Sequence, residues 1–379
     1  MVRALRILQI TPSYDPIIGG AETDVKRLAI GLNLCGLETD VMTFNMSRKW
    51  RPGWRSDVSR DQGHIVFRIP ALGLPRLRFD FKLHVLPNPR FLRQVAKYDV
   101  LHFNDDVDLT FPVLCHFVNR PKVFHARTLP STFDSYRNNG LLKRLLAKIA
   151  DIYIGNSKNT CNLLTLLGIV PERVRLLYTG IDLQTFMPNE KERVSGLILF
   201  VGRLAYVKGV HVLLKSLGSL RDHVTVAIVG PSYNDEYSRT LLELKEKLAH
   251  KHRIMFLGGL RREELVGWYQ RASICVCPSF SESFSNICTE AFACATPVVA
   301  SDIEGYREIV TNAENGILVP PGDYHELGKA VQYLIDNPKT ARRLGERGRM
   351  TVRQSFDANV TIKKLISIYM ETAALHNAG

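Results

Sequence analysis

A chain of 379 residues is longer than the roughly 250–300 over which one hydrophobic core keeps growing, so two domains of ordinary size are expected. With 45% apolar and 23% charged residues it has a globular composition, which excludes a largely disordered or fibrous protein. The net charge of +13 is uneven: residues 1–190 hold 26 Lys and Arg against 17 Asp and Glu, and residues 191–379 hold 24 against 20.

The N-terminus, Met1-Val2-Arg3-Ala4-Leu5-Arg6, runs into a strand-like segment without the apolar core of a signal peptide. No apolar run approaches the roughly 20 residues needed to cross a bilayer, so a cytoplasmic location is expected, with peripheral contact on the inner face of the membrane as an option. The first apolar segment, residues 6–11, ends at Pro12 and a loop containing Asp15, Gly19 and Gly20; an amphipathic stretch follows from Glu22 to about Leu34. Gly36 closes that helix and residues 39–44 read as the next strand, the opening of a Rossmann-like domain.

Residues 48–97 carry 12 basic side chains, among them Arg48, Lys49, Arg51, Arg55, Arg76, Arg78, Lys82, Arg90 and Arg93, interleaved with Trp50, Trp54, Phe79 and Phe81. Such a surface fits an anionic membrane or nucleic acid, and it equally fits a solvated loop. Strands are then expected at residues 100–103, 122–125 and 152–155, with a basic amphipathic helix at about 141–150 whose stripe fits packing on the sheet better than contact with a membrane.

A polar stretch, residues 189–193, precedes a new apolar strand at 197–202, which places the domain boundary at 190/191. Further strands near 224–228, 254–257, 274–277, 297–300 and 317–319 alternate with helix-length segments, so the second half reads as another doubly wound parallel sheet. Two such domains are expected to face each other across a cleft at the carboxyl ends of their strands. Helical pattern runs from about Pro338 to the end. Residues 191–355 form the second domain and 356–379 a terminal helix, with a stripe of Ile362, Leu365, Ile366, Ile368 and Tyr369, that returns to the first. The seven cysteines are odd in number and scattered in apolar segments such as residues 273–278, which reads as buried small hydrophobes in a reducing compartment. No second Cys or His pair at zinc spacing accompanies them, so no metal is expected.

Chemistry concentrates in two segments. In Gly202-Arg203-Leu204-Ala205-Tyr206-Val207-Lys208-Gly209 a strand ends in glycine and two cations follow before a helix, a setting suited to a diphosphate: Arg203 as a fork, Lys208 as a point charge, and free helix N–H groups beside them. In Glu282-Ser283-Phe284-Ser285-Asn286-Ile287-Cys288-Thr289-Glu290 two carboxylates lie about two helical turns apart, Glu282 before a helix and Glu290 within it. They can accept hydrogen bonds from separate hydroxyl-bearing groups of one elongated ligand, while the helix N-terminus between them faces phosphate.

These segments, taken with Gly19-Gly20-Ala21-Glu22, Gly180-Ile181-Asp182 with Phe186, Pro278-Ser279, Pro297-Val298-Val299-Ala300 and Gly316-Ile317-Leu318-Val319, resemble the retaining GT-B glycosyltransferases of the family 4 type along almost the whole chain. The resemblance implies that Arg203 and Lys208 bind the diphosphate of a nucleotide-sugar donor, Glu290 the ribose hydroxyls and Glu282 the transferred hexose. It implies that Gly19 and Gly20 let backbone approach the donor phosphate or the acceptor, and that the first domain is the acceptor side. It also makes His125, at the end of a strand, the active-site histidine beside the donor sugar. Asp15, Asp105 and Asp106, like His102, are candidates for acceptor contact. Many relatives have glycine where this chain has Ser285 and Ala295; the first places a hydroxyl near the expected diphosphate and the second reads as a packing change.

A hexose would thus pass with retention, without a metal or a further cofactor, to a saccharide, lipid-linked or small-molecule acceptor. The rival readings are an inactive nucleotide-sugar-binding or scaffold protein, a sugar phosphorylase or epimerase of the same architecture, and, on charge alone, a nucleic-acid-binding protein, which is not expected. The Glu282 and Glu290 pair beside Arg203 and Lys208 argues against a degenerate site.

Overall fold

The computed structural model describes residues 4–15, 20–45, 57–70, 89–104, 115–127, 133–134, 137–138, 140–232 and 234–378. The chain divides into two compact units, residues 1–179 with 359–379, and residues 180–358.

The first unit contains strands β1 (Arg6–Ile10), β2 (Glu38–Phe44), β3 (Asp57–Asp61), β4 (His64–Ile69), β5 (Val100–Phe103), β6 (Lys122–Ala126), β7 (Ile152–Gly155) and β8 (Val174–Leu176). They form one sheet in the order β3-β4-β2-β1-β5-β6-β7-β8, parallel except for the β3–β4 hairpin. The intervening helices are α1 (Gly20–Leu34), α2 (Pro89–Val95), α3 (Gly140–Leu146) and α4 (Lys158–Leu166). Because successive strand side chains point to opposite faces, Leu8, Leu101, Phe103 and Phe124 build a core on one side, while Ile7, Val100, Val123 and Ile154 build one on the other. The last helix, α12 (Ala358–Ala378), covers that second face with Ile362, Leu365, Ile368 and Tyr369. Leu365 and Tyr369 are completely buried, each worth roughly 1.5–3 kcal/mol of apolar burial. The terminal helix therefore belongs to the first unit, as its apolar stripe implies.

The second unit holds β9 (Val194–Val201), β10 (Thr225–Val229), β11 (Arg253–Gly258), β12 (Ala272–Cys277), β13 (Val298–Ser301) and β14 (Ile317–Val319) in the order β11-β10-β9-β12-β13-β14, all parallel. Helices α5 (Val210–Leu217), α6 (Asp235–Leu248), α7 (Arg262–Arg271), α8 (Asn286–Ala293), α9 (Glu304–Arg307), α10 (Tyr324–Asp336) and α11 (Pro338–Ser355) complete it. Strand order reverses between β9 and β12, the switch point at whose carboxyl end open α/β sheets bind ligands. The unit begins at Gly180, not in the polar stretch near 190, because its entry and exit run side by side: the Ile181 amide donates to the Phe356 carbonyl at 2.7 Å and the Ala358 amide to the Ile181 carbonyl at 3.0 Å.

One local expectation changes. Ala295, just past the C-terminus of α8, has φ +54°, in the left-handed region that a Cβ disfavours by roughly 1–2 kcal/mol. The glycine of the family's pattern is thus a backbone requirement that alanine meets under strain, not a matter of packing. Arg193 holds the same turn, donating to the Cys294 carbonyl at 3.1 Å, the Ala295 carbonyl at 3.3 Å and the Thr296 hydroxyl at 2.8 Å. Ala295→Gly should stabilise the chain by about 0.5–1 kcal/mol, the relieved strain less the entropy glycine adds to the unfolded chain. Urea denaturation checks this, with a higher midpoint and an unchanged slope expected.

Candidate functional site

In the second unit the loops after β9 and β12 are tied together. The Phe280 amide donates to the Val207 carbonyl at 2.8 Å, which sets the residues flanking these two positions beside one another. Lys208 and Glu282 consequently form an ion pair, with side chains 14% and 18% exposed. Two glycines permit this approach. At Gly209 φ is +70°, and a Cβ there would stand 2.0 Å from the Pro278 carbonyl oxygen. At Gly305, in α9, a Cβ would stand 2.2 Å from the carbonyl oxygen of Glu282 itself. The loop bearing the acid therefore lies directly on helix backbone.

Gly202 ends β9 with its amide donating to the Val229 carbonyl at 2.9 Å, and Arg203 follows, exposed and without a side-chain hydrogen bond among the described residues. Helix α8 starts at Asn286. Ser285 is its cap, accepting from the Cys288 amide at 3.2 Å, so the hydroxyl that replaces the family's glycine is spent on the helix itself. Cys288 is N3; the amides of Asn286 and Ile287, at N1 and N2, precede the first intrahelical bonds. Ser283 is half-buried, and Phe284 is buried against Phe356 with ring centroids 5.6 Å apart. Glu290, in the second turn of α8, accepts from the hydroxyl of Tyr269 at 2.8 Å. Tyr269 is completely buried, and burial together with the neighbouring Glu290 charge raises its pKa well above the usual value. It thus remains a proton donor that holds the carboxylate in place. Sequence reasoning missed it because a tyrosine on an amphipathic helix reads as core.

In the first unit, His125 closes β6, is 2% exposed, and has its Nδ1 3.2 Å from the guanidinium of Arg127. Arg127 also pairs with Asp24 of α1. His102 occupies the equivalent face of β5, its ring stacked on that of His125 with centroids 5.5 Å apart and planes 12° from parallel. Burial and the Arg127 charge hold both imidazoles well below their ordinary pKa. Asp15 is exposed, its backbone carbonyl accepting from Arg68 at 3.0 Å, and Gly20 is the exposed first residue of α1. Gly19, Asp105 and Asp106 lie outside the described residues, as do Arg48, Lys49, Arg51, Arg55, Arg76, Arg78 and Lys82 of the basic stretch, with its aromatic residues Trp50, Trp54, Phe79 and Phe81.

A model described as glycosyl transferases group 1 matches residues 185–351, and one described as glycosyltransferase family 4 matches residues 18–185. The chain belongs to the retaining GT-B glycosyltransferases of family 4. A D-inositol 3-phosphate glycosyltransferase of Corynebacterium diphtheriae is 28% identical over 98% of this chain and 96% of its own length. One from Thermobifida fusca is 33% identical, over 54% of this chain and 51% of that protein, so this chain aligns with about half of that relative's length. The glycogen synthase of Mycobacterium tuberculosis is 27% identical over 97% of this chain and 94% of that protein. Among solved structures, sucrose-phosphate synthase from Thermosynechococcus elongatus superposes with a TM-score of 0.79 at 23% identity, covering 98% of this chain and 99% of that one. Anabaena HepE in complex with UDP and glucose gives 0.77 at 20% identity, covering 97% and 100%. These two likenesses establish the GT-B fold.

In this glycosyltransferase no helix among the described residues is long and apolar enough to cross a membrane. A cavity of 740 Å³ lies in the second unit, walled by Tyr206, Phe280 and Tyr237, but Arg203, Lys208, Glu282 and Glu290 do not line it. Of the four, the loop geometry brings Lys208 and Glu282 into direct contact, while Glu290 is held by Tyr269.

The lowered pKa values of the buried histidines predict a loss of stability in acid. The unfolded chain titrates near the ordinary value of 6.5, above the folded values, and so binds more protons in acid. Stability is complete above about pH 6.5 and falls below it, by up to about 1.4 kcal/mol per pH unit for each histidine. Urea midpoints measured from about pH 7.5 to 5.5 should show this loss, and His102→Phe should reduce its slope.

Proposed function

We propose that the enzyme moves a hexose from a UDP-hexose donor to a polyhydroxylated acceptor, free or lipid-linked, with retention at the anomeric carbon. The observation that carries this reading is the Lys208–Glu282 pair, held by the Phe280–Val207 backbone bond, with Tyr269-anchored Glu290 on the next helix. An ammonium has three donors. Glu282 takes one, which leaves others for diphosphate oxygens, and the second carboxylate oxygen of Glu282 is left for a sugar hydroxyl. Arg203, which spends none of its fork on protein side chains among the described residues, completes the diphosphate site with the α8 N-terminus. Glu290 accepts from the ribose hydroxyls.

Anabaena HepE was solved with UDP and glucose, and also with UDP-glucose, which supports UDP-hexose as the donor class. The curated relatives are named for a cyclitol phosphate and for glycogen, both rich in hydroxyls, which supports a polyhydroxylated acceptor. In the reaction the bond from C1 to the diphosphate oxygen breaks and its electron pair stays on that oxygen. The acceptor oxygen bonds C1 on the same face, and its proton passes to the leaving phosphate. Arg203, Lys208 and the helix amides stabilise the charge that develops on UDP, a task for donors fixed before the reaction begins.

UDP-glucose should raise the melting temperature of the wild type. Lys208→Ala and Glu290→Gln should each abolish that rise. Glu290→Gln leaves the unliganded melting temperature nearly unchanged, since the amide oxygen still accepts from Tyr269, whereas Glu290→Ala would strand a buried hydroxyl at a cost of about 1–3 kcal/mol. Full stabilisation by UDP-glucose in both Lys208→Ala and Glu290→Gln would overturn the donor site.

A further inference from the structure

The buried polar side chains of the first unit form a chain of hydrogen bonds whose direction can be assigned from one end. Arginine can only donate. Arg127 donates to Asn104 Oδ1 at 2.9 Å, so the Asn104 amide nitrogen faces the other way and donates to Gln9 Oε1 at 2.6 Å. Gln9 must then present its nitrogen to Tyr369, donating to the hydroxyl oxygen at 2.7 Å. The Tyr369 hydroxyl, having accepted from Gln9, gives its own proton to His102 Nδ1, 2.7 Å away. Nδ1 of His102 is therefore an acceptor, and in a neutral imidazole the proton must sit on Nε2. A separate branch reaches the same result for His125, whose Nδ1 accepts from Arg127 at 3.2 Å.

Strand register explains why these groups meet. Gln9 stands opposite His102 in the β1–β5 ladder, and His102, with Val100, and His125, with Val123, point to the face that α12 covers. Tyr369 enters that face from the chain's last helix. Gln9, His102 and Tyr369 are completely buried and Asn104 is 1% exposed, so the assigned directions have no solvent to compete with them.

The chain of donors ends on two N–H groups that have no acceptor among the described residues: Nε2 of His102 and Nε2 of His125 are both buried without a hydrogen-bond partner there. Leaving a buried donor unsatisfied is costly, and native chains rarely keep two side by side. We propose that His102 joins His125 as a second substrate-facing donor, the two presenting neutral Nε2–H groups to oxygen atoms of the sugar substrate, and that Tyr369 of the C-terminal helix is the positioning residue that fixes the His102 tautomer. The substrate class rests on the function proposed above; the tautomers and the role of Tyr369 in setting them do not.

Long-range proton–nitrogen correlation spectra of the ¹⁵N-labelled full chain test the relay directly. Both histidines should show the neutral Nε2–H pattern, and Tyr369→Phe, which keeps the buried ring, should release His102 into a mixture of tautomers. The same variant should hydrolyse UDP-glucose with kcat lower by about tenfold or more, with KM within about twofold of wild type and thermal stabilisation by UDP-glucose retained. His102→Phe should lose kcat to at least the same extent, and His102→Gln, which restores an N–H near Nε2, should recover part of it. An Nδ1–H tautomer at either histidine of the wild type would overturn the relay, and wild-type kcat in Tyr369→Phe or His102→Phe would overturn the substrate-facing role. A wild type that neither binds nor hydrolyses UDP-glucose would sink the donor assignment instead, and the spectra would still decide the relay.

Discussion

The loops that carry Lys208 and Glu282 depend on a backbone hydrogen bond between them, from the Phe280 amide to the Val207 carbonyl. An ion pair exposed to water contributes only about 0–1 kcal/mol and would not hold two loops in register. With the loops already tied, Lys208 and Glu282 meet without paying the full entropy of ordering two long side chains, and their partial burial makes each a poor neighbour for anything but its partner. The pair is neutral overall, yet its ammonium and carboxylate keep hydrogen-bonding capacity that their mutual contact does not use. Gly209 and Gly305 belong to the same constraint, because a methyl group at either would push these loops off their supports.

The first unit solves the opposite electrostatic problem. Its polar groups are almost completely buried, so the Arg127 guanidinium is paired with Asp24, and burial holds the His102 and His125 pKa values well below the ordinary one. Burial, with the Arg127 charge added to it, lowers both imidazole pKa values, and Arg127 is also the donor from which the hydrogen-bond directions follow. Helix α12 brings the one hydroxyl, Tyr369, that carries this order to His102. The last residues of the chain thus complete the interior of the first unit instead of merely covering it.

Most of the architecture was legible because parallel strands buried on both faces leave near-continuous apolar runs, as at residues 197–202 and 297–300. The β3–β4 hairpin was not, since Asp-Val-Ser-Arg-Asp at an exposed edge carries no apolar alternation; its signal was the Gln62-Gly63 turn, with φ of +43° and +93°. Among site residues, Lys208, Glu282 and Glu290 could be picked out by charge and spacing around a strand end. Tyr269 and Tyr369 could not, because their helices bury an aromatic ring whether or not the hydroxyl has work to do, and only the partner atom reveals it. Ala295 was misread for a related reason: sequence shows that a glycine is missing from a pattern but not that the backbone there turns left-handed.

Two tyrosines with raised pKa values thus do equivalent work in the two units. Tyr269 donates its hydroxyl proton to the Glu290 carboxylate, and the Tyr369 hydroxyl lies 2.7 Å from Nδ1 of His102. A phenol is suited to this where serine is not: its ring supplies the apolar burial that makes the position stable, and that same burial pushes the hydroxyl pKa up. Burial that stabilises the fold is in this way also what fixes the donor and acceptor character of the neighbouring groups, so removing either hydroxyl should change chemistry more than it changes packing.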